Sequence, residues 1–396
     1  MTLHFILTLA LWIVALPATA ACLYLLGLTV LSAALPVPAP SARKLRFDII
    51  VPAHNEESVL ERVIGSLKRL DWPPDRLRVI VVADNCTDAT AAIAAAAGAH
   101  VMRRFDQENR GKGYALQFAF TASRVQGWAD AVVVIDADTM VSANLLEAFA
   151  GRLERGTHAV QAHYGVSNTG ASWRTRLLSI AKAAFHIVRS RARERLQVSC
   201  GIRGNGWAVT HALLEQVPYK AFSLTEDLEY GIELGMAGYR VAYADEAHCD
   251  AEMVTGEREA REQRRRWERG RFDLIRTRTL PLLAQCVRKR SLVCLDLALD
   301  LLVLPLSYVV LNVAALLLFA WFAAANEPSM IGWLWLGTAN VAALLLHILR
   351  GWQLSGTGLR GLLDLTRAPF FVLWKILVML GGRDSKEWVR TKREGS

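Results

Sequence analysis

Apolar residues are concentrated at the two ends of this chain, and this distribution limits the folds open to it more than any other feature. No Asp, Glu, Lys or Arg lies between Leu3 and Leu35. A membrane-spanning helix needs about 20 apolar residues, so the stretch is long enough for one span and too short for two. Ala18-Thr19-Ala20 resembles a signal-peptide cleavage site, but the stretch lacks a basic start and its hydrophobicity continues past that point. We therefore predict an uncleaved membrane helix.

The carboxyl-terminal part of the chain is apolar again. Leu295–Ala325 holds one predicted span with an amphipathic lead-in, because Asp296 and Asp300 lie near its start. Met330–Leu349 is a second predicted span. Leu362–Gly381 is apolar but contains charged residues and a proline, so we interpret it as an interfacial or re-entrant helix. The prediction is three spans in all, with four as the alternative.

Basic residues flank the long middle section and predict its orientation. Arg43, Lys44 and Arg46 follow the first apolar stretch, and a run of three basic residues, 288–290, precedes the next one. Positive residues favour the cytoplasmic side, so we expect the middle section in the cytoplasm and the Asn326–Ser329 loop outside. The expected localisation is the inner (plasma) membrane. The predicted organisation is a membrane helix 1–35, a linker 36–46, a cytoplasmic domain 47–290, spans 291–325 and 330–349, an interfacial helix 362–381 and a basic tail 382–396.

Overall composition agrees with a membrane protein that carries a sizeable globular part. Hydrophobic residues make up 53% of the chain, charged residues 21%, and the formal net charge is +9. These values exclude a disordered chain and a small disulfide scaffold. None of the six cysteines forms a CxxC pair, so neither a zinc ribbon nor a redox motif is supported, and no nucleic-acid partner is predicted.

The middle section shows the pattern of an α/β domain. Short β-branched runs at Phe47–Val51, Val79–Ala83 and Val132–Ile135 alternate with helical patterns. Such alternation predicts a mostly parallel sheet with crossover helices. In a sheet of this kind, ligands bind beyond the carboxyl ends of the strands.

Polar residues lie at the ends of two of these strands, and a basic residue lies within a glycine-rich loop. Glu56 lies in the loop after the first strand, and Asp84 ends the second, where a carboxylate can accept the imide N–H of a uracil ring. Capping of the next helix is the alternative for this loop. Lys112 lies between two glycines that let the backbone approach a phosphate, although a surface loop would look the same.

The third strand ends in Asp136-Ala137-Asp138. Two carboxylates that converge at a strand edge repel each other unless a cation lies between them. Hard oxygen ligands suit Mg²⁺ or Mn²⁺, with a diphosphate completing the coordination shell. The alternative is a turn with two solvated acids.

Two further motifs with possible catalytic or binding residues lie later in the middle section. Glu226 and Asp227 begin a helical stretch, where acids also serve as ordinary capping residues. A second motif starts at Gln263 and includes Arg266, which could hold a phosphate bidentately, and Trp267, which could stack on a sugar ring.

In this order the motifs resemble the D, DxD, TED and QxxRW signature of membrane-embedded family 2 glycosyltransferases. Cellulose, chitin, hyaluronan and poly-N-acetylglucosamine synthases belong to that family, as do ceramide glucosyltransferase-like enzymes. The resemblance covers about residues 47–273. It implies an α/β GT-A (Rossmann-like) catalytic domain plus α-helical transmembrane segments, a UDP-sugar donor, a divalent metal, Mg²⁺ or Mn²⁺, and inversion at the anomeric carbon.

The resemblance also implies a role for each residue. Asp227 matches the general base, and Asp138, with Asp136, matches the metal-binding acids. Asp84 matches the acid at the uracil, and Glu56 is expected at the nucleoside. The residues expected at the diphosphate, the acceptor entrance and the leaving UDP are Lys112, Gln263, Arg266 and Trp267.

Two versions of this function remain open, with a third hypothesis from another class. One is a processive synthase that extends a growing polysaccharide and also exports it, with an export protein as a further partner. The other adds one sugar to a polyprenyl-diphosphate-linked or other lipid acceptor. QxxRW favours the first and the small number of spans favours the second. The third hypothesis is a non-catalytic membrane scaffold, which the intact acids argue against.

Overall fold

The middle of the chain forms one eight-stranded mixed sheet in the computed structural model, which describes residues 2–253 and 257–373. The strands run in the order β3-β2-β1-β4-β7-β6-β8-β5. Their bounds are β1 Phe47–Ala53, β2 Leu77–Asp84, β3 His100–Arg104, β4 Ala131–Val134, β5 Thr139–Val141, β6 Ala159–Val166, β7 Trp207–Thr210 and β8 Val241–Ala251. The predicted α/β fold is confirmed, and the three predicted strands are β1, β2 and β4.

The sheet is less parallel than predicted. Four pairings are parallel, including β1 with β2 and with β4, but β7 runs antiparallel to both β4 and β6, and β5 runs antiparallel to β8. Because β7 is antiparallel to β4, the start of β7 lies at the same sheet edge as the end of β4. The loop that precedes Trp207 therefore reaches the residues after β4.

Helices cover both faces of this sheet. Within β1, Ile49 and Val51 pack into one buried apolar cluster and Ile50 into another on the opposite face, as the two-residue period of a strand requires. The helices that precede β8 in the chain and follow the first apolar segment are α2 Leu60–Leu67, α3 Thr90–Ala96, α4 Lys112–Gln126, α5 Leu145–Leu153, α6 Trp173–Ala183, α7 Arg189–Arg195, α8 His211–Gln216 and α9 Glu226–Ala237.

Three helices in the described chain are long and apolar enough to cross a membrane: His4–Val30, Leu306–Asn326 and Pro328–Leu354. They lie in α1 Thr2–Val30, α12 Leu306–Asn326 and α13 Ile331–Leu354, which pack against one another. The remaining helices are α10 Glu257–Lys289, α11 Leu292–Leu302 and α14 Gly358–Asp364. The predicted segment 291–325 thus consists of two helices, which separate at Val303 because Pro305 cannot continue the α11 hydrogen-bond pattern.

The last predicted apolar segment is only partly described. Its first residues belong to α14 and to a short 3₁₀ turn, Leu365–Arg367. Residues 374–396, which include the rest of that segment and the basic tail, lie outside the described residues. The choice between three and four spans stays a prediction.

A buried ionic cluster joins the sheet domain to the apolar helices. Arg193 on α7 lies 3.0 Å from Asp296 and 2.6 Å from Asp300, both on α11, and donates to the Tyr24 hydroxyl of α1 at 2.6 Å. Arg189 adds a second contact to Asp300, at 3.0 Å. Arg193 is fully buried and Asp300 is 2% exposed, so removing one partner would leave a charge without compensation in a dry interior.

Segment 182–195 alternates basic and apolar residues, a pattern that by itself predicts either a helix on the membrane surface or a solvated basic face. The structure contradicts both. Lys182, Arg189 and Arg193 are instead buried, and Arg191 pairs with Asp245 at 2.8 Å. The apolar helices α1 and α11 cover the face that the sequence alone left open.

Candidate active site

Lys112 lies at the centre of a group of acids at one edge of the sheet. Its ammonium is 2.6 Å from Asp136 Oδ1 and 3.7 Å from Glu226 Oε1, and it donates to the Gly204 carbonyl at 2.6 Å. Burial alone would lower the pKa of Lys112, but Asp136 and Glu226 outweigh burial and hold that pKa above its usual value. Lys112 therefore stays charged and neutralises the acids around it.

Steric crowding explains why the second residue of the Gly-Lys-Gly loop flanking Lys112 is a glycine. A Cβ added at Gly113 would lie 2.3 Å from the Ala221 carbonyl oxygen, a distance that no real side chain tolerates. The start of α4 is thus pressed against the segment that leads into α9. This close approach brings Lys112, at the first position of α4, within reach of Glu226, at the first position of α9.

Glu226 and Asp227 are half-buried acids at the amino end of α9. Burial raises the pKa of Glu226 to about 7 and also raises the pKa of Asp227, while Lys112 acts in the opposite direction on both. A carboxylate with a raised pKa holds a proton more readily, as a general base near neutral pH must. Glu226 is a residue to which the sequence interpretation gave no role of its own.

A glycine-rich loop before β7 connects these acids with the DxD segment. Gly201, Gly204 and Gly206 all have positive φ, and a Cβ added at Gly204 would lie 3.3 Å from Asp227 Oδ2. Asn205 Oδ1 accepts the Asp136 N–H at 3.0 Å, and its side-chain amide donates to the Thr139 hydroxyl at 2.5 Å. The loop thus contacts the residues on both sides of Asp138, at the Asp136 backbone and at the Thr139 hydroxyl. The sequence interpretation missed Asn205, and its place between two glycines is the only local signal that could have indicated it.

Asp84 lies at the same sheet edge, at the end of β2. Its Oδ1 accepts from Arg104 at 2.7 Å and from the Asn85 amide at 3.1 Å. Glu56 follows β1 and its backbone N–H donates to the Thr90 hydroxyl at 2.8 Å. The two predicted nucleoside-binding residues therefore lie on neighbouring parallel strands, on the β3 side of the Lys112 group. Arg104, which holds Asp84, is a further residue that the sequence interpretation missed.

The DxD acids fit a divalent cation in donor type. Their oxygens are hard ligands, and the two side chains follow the same strand end. In the part of the chain that the structure describes, no three His, Cys, Asp or Glu side chains converge to form a complete metal site. A divalent cation at these two acids would need phosphate oxygens of a nucleotide to complete its coordination shell.

The predicted QxxRW residues lie on α10, which touches the start of α9. A Cβ added at Gly270 would lie 2.6 Å from the Thr225 side chain, so the two helices are in close contact immediately before Glu226. Trp267, one helical turn earlier, is 40% exposed. Trp207, by contrast, is buried against Phe120 and cannot stack on a sugar ring.

Comparison with known proteins agrees with this geometry. A family model described as "Glycosyltransferase like family 2" matches residues 45–270. The chain is 27% identical over 270 residues to a probable glycosyltransferase, YdaM, of Bacillus subtilis, covering 64% of this chain and 60% of that protein. It is 30% identical over 234 residues to a beta-monoglucosyldiacylglycerol synthase of Synechocystis, covering 57% of this chain and 47% of the relative. The chain thus matches about half the length of these curated relatives.

A solved structure shares the fold. The mannosyltransferase PcManGT from Pyrobaculum calidifontis, in complex with GDP-Man and Mn²⁺, superimposes with a TM-score of 0.50 at 21% identity. The alignment covers 85% of this chain and 98% of that one. This likeness shows a GT-A-like fold for the chain.

Proposed function

The chain belongs to glycosyltransferase family 2, and on this premise we propose that it transfers one sugar, with inversion, from a nucleotide-sugar donor to a hydroxyl group of a membrane lipid. The observation that carries the proposal is the meeting of Lys112, Asp136, Glu226 and Asp227 at one sheet edge. Inverting transfer needs a base on one side of the anomeric carbon and a stabilised leaving group on the other. It needs no protein nucleophile.

In the proposed reaction, Asp227 takes the proton of the acceptor hydroxyl. The hydroxyl oxygen then forms a bond to the anomeric carbon while the bond to the donor phosphate oxygen breaks, and the electron pair leaves with the nucleoside diphosphate. Lys112 and Arg266 balance the charge on that leaving group. A divalent metal, Mg²⁺ or Mn²⁺, bound by Asp138 and Asp136 would add further charge stabilisation.

The proposed identity of the donor nucleotide rests on residues at the ends of β1 and β2. We propose a UDP-sugar, with Asp84 at the uracil and Glu56 at the nucleoside. The solved relative was crystallised with GDP-Man, so a GDP-sugar is the competing donor.

A lipid acceptor is supported by the three apolar helices and by the relative named as a glycolipid synthase. A growing polysaccharide is the second candidate, favoured by Gln263, Arg266 and Trp267, which match the acceptor-side motif of polymer synthases. A polymer product would call for a separate export protein. In both cases we propose a cytoplasmic catalytic domain at the inner (plasma) membrane, because nucleotide sugars are cytosolic.

A donor and acceptor screen tests the proposal. The full chain in lipid nanodiscs is incubated with UDP-Glc, UDP-Gal, UDP-GlcNAc or GDP-Man, with and without diacylglycerol, and products are identified by mass spectrometry. We expect nucleotide release together with one glycolipid of a single added sugar. A ladder of longer products would favour the polymer synthase. No release with any donor would refute catalysis and favour the scaffold.

A further inference from the structure

Lys182 on α6 is a buried ammonium that no hydrogen-bond acceptor of residues 2–253 or 257–373 reaches. Its side chain is nine-tenths buried, and Nζ lies 3.5 Å from the centre of the Tyr164 ring. Burial lowers the pKa of Lys182 to about 7, against the attraction of Asp138 and Asp250. A buried cation without an oxygen partner is costly, so its presence indicates a partner that the described residues do not supply.

Lys182 lines a polar cavity of about 80 Å³. A water molecule needs only about 10–15 Å³ of such volume, so the cavity has room for several waters or for a small polar group. Its walls come from strand β6, from β8 and from helices α6 and α13. The wall residues that carry the argument are His163, Tyr164, Ser179, Asp250, Leu354 and Ser355.

The cavity adjoins the catalytic acids on one side. Asp250 on β8 pairs in register with Met140, two residues after Asp138. The Tyr164 ring that lies under Lys182 also approaches Gly204, where an added Cβ would be 4.0 Å from the ring and 3.3 Å from Asp227. The Tyr164 ring therefore contacts Lys182 and also approaches the glycine that lies against the proposed base.

On its other side the cavity adjoins the end of a candidate membrane span. Leu354 is the last residue of α13, and Ser179 of α6 donates to the Ser355 carbonyl at 3.4 Å. A Cβ added at Gly351 would lie 2.8 Å from Ala184 Cβ, so α13 and the segment after α6 are in direct contact. The cavity therefore lies at the end of a helix that could cross a membrane.

The charges of the cavity select among ligands. The Lys182 ammonium offers donors, and the Asp250 carboxylate, whose pKa burial raises, offers acceptors. A hydroxyl group can satisfy both at once, because it donates to the carboxylate and accepts from the ammonium. A phosphate would face repulsion from Asp250 and, beyond it, from Asp138.

We propose that the Lys182 cavity is the acceptor subsite and that it receives a neutral headgroup with at least two free hydroxyls, such as a sugar, carried by a membrane lipid. This inference rests on the proposed glycosyl transfer to a lipid. Lys182 and Asp250 are positioning residues in it: they orient the headgroup so that one of its hydroxyls faces Asp227.

The test compares Lys182→Met and Asp250→Asn with wild type and with Lys68→Met, a matched loss of one exposed lysine charge far from the cavity. Each full-length protein, in nanodiscs, is assayed for acceptor KM, donor KM, donor hydrolysis without lipid, and Tm. The acceptors are diacylglycerol, a monoglycosyl-diacylglycerol and a polyprenyl phosphate.

We expect Lys182→Met and Asp250→Asn to raise the KM for the monoglycosyl-diacylglycerol about 10- to 100-fold, the usual loss of a hydrogen bond to a charged group. Donor KM and donor hydrolysis should stay within twofold, and the Tm of Lys182→Met should not fall, because an orphaned charge is removed. Lys68→Met should match wild type throughout.

Other outcomes would overturn the inference and can be told apart. Wild-type transfer to lipid with an unchanged acceptor KM in Lys182→Met would refute the subsite alone. An equal rise in donor KM would make the cavity a donor site, and a lower Tm without a KM change would make Lys182 structural. Transfer to polyprenyl phosphate only would refute the neutral headgroup. No wild-type transfer to any lipid would refute the proposed function itself.

Discussion

Replacement of Gly204 by alanine tests the proposed catalytic geometry most directly. Gly204 has φ +90°, and its carbonyl oxygen accepts a hydrogen bond from Lys112 Nζ at 2.6 Å. The added Cβ would lie 3.3 Å from Asp227 Oδ2, tighter than an ordinary contact. The substitution therefore disturbs the proposed base and its neighbouring cation together, while Asp84 and Glu56 on the far side are untouched.

The expected effect has two parts. A residue other than glycine at this φ costs about 1–3 kcal/mol of stability, which lowers the free energy of unfolding. Displacement of Asp227 by a few tenths of an ångström, with the Lys112 hydrogen bond disturbed, should lower kcat about 10- to 100-fold, since a misplacement of about 1 Å costs roughly 100-fold. The donor KM should change less than about threefold.

Gly156→Ala provides the matched control. Gly156 has φ +87°, nearly that of Gly204, but nothing lies within 4 Å of an added Cβ, and the residue precedes β6 at the opposite end of the sheet. The Tm should fall by a similar amount in both variants, and only Gly204→Ala should lose activity. The assay is kcat in nanodiscs at saturating donor and acceptor, with Tm measured in parallel. Equal kcat in the two variants would refute the assignment of the Gly204 loop to the catalytic site.

Further predictions address the base, the metal, pH and orientation. Asp227→Asn should keep donor affinity, measured by calorimetry, and lose about 10²–10⁴-fold in transfer, whereas a collapse of donor affinity would make Asp227 a binding residue. Asp138→Asn should abolish Mn²⁺-dependent nucleotide binding, and full wild-type activity in EDTA would contradict a metal site. Because burial raises the pKa of Asp227 and brings that of Glu226 to about 7, kcat/KM should rise with pH up to neutrality as these acids ionise. A profile that is flat between pH 5 and 7 would argue that neither carboxylate is the general base. In a cysteine-free chain, Glu327→Cys should be labelled from outside the cell and Ser355→Cys should not, and the reverse result would exclude a cytosolic donor site.

The parts of this fold that could be predicted are those with local causes. A run of apolar β-branched residues followed by acids indicates a buried strand that ends at a site, and β4 with Asp136 and Asp138 follows that rule. Strand β7, Trp207–Thr210, was missed because its four residues lack the continuous β-branched run that marks β4. Its antiparallel direction depends on pairing with β4 and β6, which are distant in sequence.

The basic segment 182–195 shows where sequence reasoning is limited. Its spacing correctly indicates a helix with charged residues, but nothing local tells whether water, lipid or protein covers the charged face. Asp296 and Asp300, about 100 positions later, supply the partners of Arg193. Asn205 was missed for the same reason, because its contact with Asp136 joins residues that are 69 positions apart in the sequence. Such residues are recognised only when the tertiary contacts are known.

The buried ionic cluster has a consequence for the biogenesis of the protein. The family match ends at residue 270, yet Arg189, Arg193 and Arg203 depend on carboxylates of α11, and Arg203 lies 3.5 Å from Asp300. While the ribosome has not yet delivered α11, the nascent catalytic half carries three guanidinium groups with no counter-charge from that helix. Completion of the catalytic half therefore has to wait for the chain beyond residue 300, so a truncated transcript that stops at the family boundary should yield a degraded polypeptide, not a soluble enzyme.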